Sequence, residues 1–208
     1  MRPLHSRKRR ATLADAHQHV REHFGYGAST NDYLQDEERM QIAIEASEAL
    51  QNVTRVQFPR TGNLEYAILK THLIVEFALT RLIRCSSYVL VEPEAIRFTF
   101  SQKLEIAVLL GFAHWCPTTV PSVEILNRIR NQVAHRFSFD RALVLELVRL
   151  ANRNEQPAKL TDRQLISCLR AFSAFFCGSV AGHILSLIQL SQDDHYAREA
   201  DAPKIEGH

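Results

Sequence analysis

The stretch from residue 121 to residue 137 constrains the fold of this chain more than any other part of the sequence. Pro121 suits the first turn of a helix, and Glu124 favours the positive end of the helix dipole. At about 100° per residue, the side chains that suit a core gather on one side of this predicted helix. They are Ser122, Leu126, Ile129, Val133 and Phe137.

The other side of the same predicted helix carries an unusual set of polar residues. Asn127, Asn131 and His135 are four residues apart and therefore lie one above the next. Arg128 and Arg130 flank this row, whereas a surface helix usually presents lysine and glutamate to solvent. This polar face is unusual for a surface helix.

The segment from residue 126 to residue 136 resembles the signature of the HEPN superfamily, the "higher eukaryotes and prokaryotes nucleotide-binding" helical domains. Their motif is an arginine, a polar residue that is commonly Asn, Asp or His, three further residues and a histidine. Arg130, Asn131 and His135 match this motif position by position. The segment is also similar to the mannitol-repressor-like and related helical families, which keep the fold with less certain chemistry.

The resemblance implies a specific chemistry, because catalytically active HEPN proteins are metal-independent endoribonucleases. His135 would be the general acid/base, Arg130 would hold the scissile phosphate, and Asn131 would orient the reacting groups. Imidazole titrates near neutral pH, and guanidinium is a permanent fork matched to phosphate oxygens. Asn127 and Glu76 are predicted as supporting residues, and no metal or cofactor is expected.

The spacing within the motif predicts a homodimer. Residues five apart on a helix diverge by roughly 140°, so Arg130 and His135 do not share a face. One helix therefore presents an incomplete site. HEPN proteins are commonly dimers whose motifs meet across the interface, and the resemblance implies the same arrangement here.

Glu76 lies inside a densely apolar helical run, where a carboxylate needs a partner. One interpretation pairs it with an arginine or histidine of the 121–137 helix. The other places it at the rim of the core, or pairs it with an arginine five or eight residues further along its own helix.

The composition predicts one soluble domain of 208 residues, with 46% hydrophobic and 23% charged residues. A net charge of +2 provides no global attraction for nucleic acid, so RNA binding would need a local patch. The four cysteines, at 85, 116, 168 and 177, show no C-x-x-C spacing. A reducing cytoplasmic location is therefore expected.

Residues 1–10 are predicted to be a disordered basic arm, which is either simply solvated or contacts RNA or DNA. The candidate nucleic-acid-binding residues are Arg7, Lys8, Arg9, Arg10 and, on the organising helix, Arg128. Three histidines follow at 17, 19 and 23; without a further ligand they indicate a surface cluster more than a metal site.

The predicted fold is an all-α, HEPN-like, single-domain bundle of about six or seven helices over residues 11–195, followed by a flexible tail at 196–208. A helix is predicted from about residue 31 to residue 51, then an irregular segment at 53–59. A central helix follows over 64–86.

The last predicted helix contains an uncharged stretch from Ala171 to Gln192, which is long enough to span a membrane. Its several serines, His183 and Gln189 favour a buried or interface helix instead, so no membrane partner is expected. A row of small residues four apart allows close helix packing, either inside the chain or at a dimer contact. The row is Ala174, Gly178, Gly182 and Ser186.

Two further functions remain open. One is a non-catalytic regulatory module, similar to the mannitol-repressor-like branch, which acts through a protein partner or a nucleotide. The other is a helical scaffold assembled through the row of small residues. A basic arm at residues 7–10 favours RNA, and the near-neutral net charge favours a protein partner.

Overall fold

The structure is a computed structural model that describes residues 36–60, 62–87, 97–114, 116–136, 138–152 and 160–201. This part of the chain contains six helices and no strand, so the prediction of an all-α bundle is confirmed. The helices are α1 (Asp36–Gln57), α2 (Leu64–Ser86), α3 (Phe100–Leu109), α4 (Thr119–Arg136), α5 (Arg141–Asn152) and α6 (Asp162–Asp201).

Helix α6 is the spine of the bundle and packs against α1, α2 and α5. One side of it supplies a continuous set of core side chains, which includes Leu165, Leu169, Phe172, Phe176, Val180 and Ile184. Phe112, which follows α3, packs edge-on against Phe176 with 5.3 Å between the ring centroids. Because α6 packs against three other helices, the burial of its apolar side chains stabilises most of the helix contacts in the bundle.

The prediction of an irregular segment at 53–59 is wrong for residues 53–57, because α1 continues to Gln57. Thr54 is buried in the bundle, and packing of this last turn outweighs the weak helix propensity of β-branched residues. The chain leaves the helix at Phe58, where the following Pro59 disfavours helical backbone.

Helix α6 is described as far as Asp201, which lies within the segment 196–208 that was expected to be a tail. Over Asp162–Leu190 this helix is long and apolar enough to cross a membrane by length and composition. Half of its most apolar window is buried against the rest of the protein.

The row of small residues lies on the exposed side of α6. Ala174, Gly178, Gly182 and Ser186 are all exposed, and a Cβ atom added to either glycine would meet no atom within 4 Å. Packing of this row within the chain, one of the two predicted uses, is therefore wrong for the described residues. The other, a contact with a second protomer, stays a prediction.

His183 lies on the buried side of α6 and joins it to the end of α3. Its Nε2 donates to the Leu110 carbonyl oxygen at 2.9 Å, and its ring meets Phe112 edge-on. Gly111 follows with a φ of 81°, a left-handed conformation that glycine adopts without strain. These contacts hold the end of α3 against α6.

Candidate functional site

Helix α4 presents the predicted motif because its apolar positions face the core. Ser122, Leu126, Ile129 and Val133 are buried as predicted, and Phe137 lies outside the described residues. The helix begins at Thr119, so Pro121 falls in its first turn. N–H groups in the first turn have no partner within the helix, so the missing N–H of proline costs no hydrogen bond there. The Ser122 hydroxyl donates to the Thr118 carbonyl oxygen at 2.7 Å, which satisfies this buried polar group.

The end of α4 is held to the start of α5. The Gln132 side-chain oxygen accepts a hydrogen bond from the Asp140 backbone N–H at 2.9 Å. The Asp140 carboxylate in turn accepts from the Ala142 N–H at 2.9 Å and so caps α5. The last turns of α4, which carry the motif, are thereby fixed by a residue outside the motif.

The three motif residues lie at the surface of these last turns. Asn131 and His135 are exposed, and Arg130 is half-buried. The Arg130 guanidinium donates from Nη1 to the Asn131 Oδ1 at 3.2 Å. Although Arg130 starts on a different side of the helix, this bond brings its guanidinium towards the row that contains His135.

A polar network connects the base of this row to the core. His72, on α2 and only 4% exposed, donates from Nε2 to the Asn127 Oδ1 at 3.3 Å. Its ring stacks on Phe100 with 4.2 Å between the centroids. Its other nitrogen, Nδ1, lies 4.0 Å from the Glu76 carboxylate, which pairs with Lys103 of α3 at 2.9 Å. Residues from α2, α3 and α4 therefore meet at this network.

The surroundings of His72 favour its neutral form. Burial is the largest cause and lowers the pKa of His72 below its ordinary value, and the positive charges of Arg130 and Lys103 lower it further. The hydrogen bond with Asn127 and the negative charge of Glu76 raise the pKa and only partly offset burial. A neutral imidazole with Nε2 protonated positions the Asn127 amide without adding charge beside Arg130.

The interpretation that paired Glu76 with an arginine or histidine of α4 is wrong, because its direct partner is Lys103. With a side chain about one-third exposed (32%), Glu76 lies at the rim of the core. Arg81, five residues further along α2, lies over the Phe77 ring, 5.0 Å from its centroid. Lys103 reaches Glu76 from the other side of the network.

An open groove of about 700 Å³ runs between α3 and α4 beside the network. Its apolar part includes Leu104, Val108, Leu109 and Val120. Its polar part includes Asn127, Arg128, Glu105 and Glu124. Leu109 is 86% exposed, so this groove presents an uncovered apolar surface next to a mixed set of charges.

The structure brings together only some of the predicted site residues. Asn127 contacts the buried network, Arg130 and Asn131 contact each other, and His135 extends the row at the surface. Arg128 lines the groove, while Arg7 to Arg10 and the histidines at 17, 19 and 23 lie outside the described residues. His72 and Lys103 were not predicted. For His72, its position four residues before Glu76 was the available signal.

Within the described ranges, no three His, Cys, Asp or Glu side chains are grouped so that they could hold a metal ion. The chemistry available on α4 is that of an imidazole, a guanidinium and two amides. Comparison with protein-family models, with curated proteins and with solved structures finds no match. The functional assignment therefore depends on the motif of α4 and on its surroundings.

Proposed function

We propose that this protein is a HEPN-like, metal-independent endoribonuclease that acts in the cytoplasm as a homodimer on RNA. The observation that carries the proposal is that, within the part of the chain that the structure describes, the motif side chains make no hydrogen bond to the core. Asn131 and His135 are exposed, and Arg130 bonds to Asn131 and not to a buried carboxylate. Polar residues that the core does not need are available to a ligand.

The proposed roles follow from the chemistry of each group. His135 moves a proton of the RNA 2′-hydroxyl or of the leaving oxygen, because its imidazole both accepts and donates near neutral pH. Arg130 holds the scissile phosphate through its planar fork. The Asn131 oxygen accepts from Arg130, which fixes the guanidinium and leaves the Asn131 amide N–H groups for substrate.

Asn127 and the buried network support this site from below. The bond between His72 and Asn127 fixes an amide one turn before Asn131. Because burial lowers the pKa of His72, with smaller contributions from Arg130 and Lys103, the network avoids a further positive charge beside Arg130. Because the network already holds Asn127 in place, less conformational entropy is lost when the exposed row becomes ordered on a substrate.

The groove between α3 and α4 favours a second function, a regulatory module that binds a protein partner. Val108 and Leu109 are exposed apolar side chains on the groove wall, at 44% and 86%. Glu105, Glu124 and Arg128 surround them with both signs of charge, as at the polar rim of a protein interface. In this alternative the motif helix contributes binding residues and no catalysis.

The test is cleavage of a mixed RNA pool in EDTA by the purified full chain. We expect His135→Ala and Arg130→Ala each to reduce cleavage by about 100-fold or more, since one positioned acid/base contributes at least that much. The products should carry 2′,3′-cyclic phosphate ends. Matched controls are His114→Ala and Arg149→Ala, which remove an exposed histidine and an exposed arginine outside the motif.

Circular dichroism and thermal unfolding establish that each variant is folded. Cleavage lost in both motif variants and kept in both controls supports the nuclease. If wild type leaves the RNA pool intact while His135→Ala lowers the melting temperature by several degrees, the motif is structural. The protein-binding module is then the better assignment.

A further inference from the structure

A second pocket lies away from the motif, and the described residues that line it include three arginines and no acidic side chain. Arg60 lies between α1 and α2, while Arg163 and Arg170 lie on α6. Residues seven apart on a helix project within about 20° of each other, so Arg163 and Arg170 share one side of α6. Ser167 lies between them and also lines the pocket.

The guanidinium of Arg170 is already positioned by the fold. It donates from Nη2 to the Pro59 carbonyl oxygen at 3.2 Å and lies over the Phe58 ring, 5.0 Å from the centroid. One carbonyl uses only part of the donor capacity of a guanidinium, which has five N–H groups. The remaining donors are held in place before any ligand arrives, which lowers the entropic cost of binding.

The charges of the other two arginines are not neutralised within the described residues. Arg60 and Arg163 are exposed and form no ion pair there. Asp162, the acidic residue next to Arg163, pairs with Arg141 of α5 and does not line the pocket. Gly62 lines the pocket without a side chain, and a Cβ there would meet no atom within 4 Å, so a ligand can approach its backbone.

We propose that this arginine pocket binds the phosphate groups of a nucleotide or of an RNA backbone. Three converging guanidinium groups match phosphate oxygens, and the pocket volume of about 550 Å³ suits a ligand of nucleotide size. The groove between α3 and α4 is a poorer phosphate site, because Glu105 and Glu124 oppose the charge of Arg128. This site goes beyond the proposed nuclease and does not depend on cleavage.

The test measures binding by the full chain at about 150 mM salt. Calorimetry with inorganic pyrophosphate and with ADP probes a free phosphorylated ligand, and fluorescence anisotropy with a short single-stranded RNA probes the backbone. The variants are Arg60→Gln, Arg163→Gln and the double variant. Arg149→Gln on α5 is the matched control, because it removes one exposed arginine that does not line this pocket.

We expect each single variant to weaken binding about tenfold, the size of effect for one lost charge-assisted contact, and the double variant to abolish it. Arg149→Gln should stay within twofold of wild type with pyrophosphate or ADP. If only the RNA responds to the pocket variants, the phosphates are those of the backbone. The proposal is overturned if none of the three probes binds, or if Arg149→Gln weakens binding as much as the pocket variants.

Discussion

His72 is a buried imidazole that touches groups from three helices. It stacks on Phe100, donates to Asn127 and lies near Glu76, while Lys103 completes the network. A buried polar side chain is costly unless its hydrogen bonds are made, and here the bond connects α2 to the helix that carries the motif. The residue therefore links core packing to the candidate site.

The stability of the fold should depend on pH through His72. Because its pKa is lowered in the folded protein, the unfolded chain binds the proton first as the pH falls below about 6.5. Above that pH, His72 is neutral in both states and its full contribution to the stability of the folded protein is present. It is lost as the pH falls towards the folded pKa of His72, and no further loss from this group follows below it.

His72→Gln isolates this contribution. At pH 8 we expect the variant to lower the free energy of unfolding by about 1–3 kcal/mol, through lost stacking and an altered buried hydrogen bond. The difference between wild type and variant should shrink from pH 8 to pH 5, because only wild type loses stability by protonating His72. Urea unfolding at each pH measures it. A difference that stays constant or grows at low pH contradicts the neutral, buried imidazole.

Sequence alone could not predict this residue because its partners are distant along the chain. Asn127 is 55 positions from His72, and the hydrogen bond between them exists only after α2 and α4 pack. Glu76, by contrast, was predicted as a supporting residue because a carboxylate in an apolar run is visible in the sequence. Its partner Lys103 was not visible, since the crossing of α3 over α2 decides it.

At the scale of elements, the helices that bury a wide apolar face were the easiest to predict. The predicted bounds of α2, 64–86, agree with the structure, and Asn63 caps its first turn by accepting from the Tyr66 N–H at 2.8 Å. The end of α1 was harder, because Val53, Thr54 and Val56 have weak helix propensity and the stop signal is Pro59. Packing of this turn against the rest of the bundle, and not its own helix propensity, makes it helical.

Two glycines of this bundle should respond in opposite ways to the same substitution. Gly182 lies within α6 and an added methyl group meets no atom, so Gly182→Ala should raise the free energy of unfolding by about 0.8–1 kcal/mol. Gly111 has a φ of 81°, so Gly111→Ala should lower it by about 1–2 kcal/mol. Chemical denaturation of the pair measures both. Destabilisation by Gly182→Ala would show that this exposed position is in contact with another chain.

At the scale of the whole molecule, two surfaces are candidates for a homodimer contact, and they lie in different places. The motif occupies the last turns of α4, about 14 Å along the helix from Ser122 in its first turns, at 1.5 Å per residue. Phe175 shares a small cavity with Ser122, which places the start of the exposed row on α6 near that opposite end of α4. A two-fold axis through Gly178 and Gly182 would therefore not bring the motifs together.

The proposed nuclease thus requires a dimer through the last turns of α4, and two variants separate the surfaces. Ala134 is exposed and is one of the three unspecified residues between Asn131 and His135, so Ala134→Arg should turn a micromolar dimer into a monomer and abolish RNA cleavage. Gly182→Leu should leave both the dimer and RNA cleavage unchanged. Ala142→Arg, at an exposed position of α5, is the control for the added charge. Light scattering measures the mass of each variant.

Either of two results would reject this arrangement. A wild-type protein that is monomeric at micromolar concentration would contradict a site completed by two motifs, since Arg130 and His135 project about 140° apart on one helix. Dissociation by Gly182→Leu, with Ala134→Arg still dimeric, would place the interface on α6. Gly182→Leu would have this effect because close helix packing at Gly178 and Gly182 tolerates no large side chain. The row of small residues would then hold together a scaffold in which the α4 face stays free for a partner.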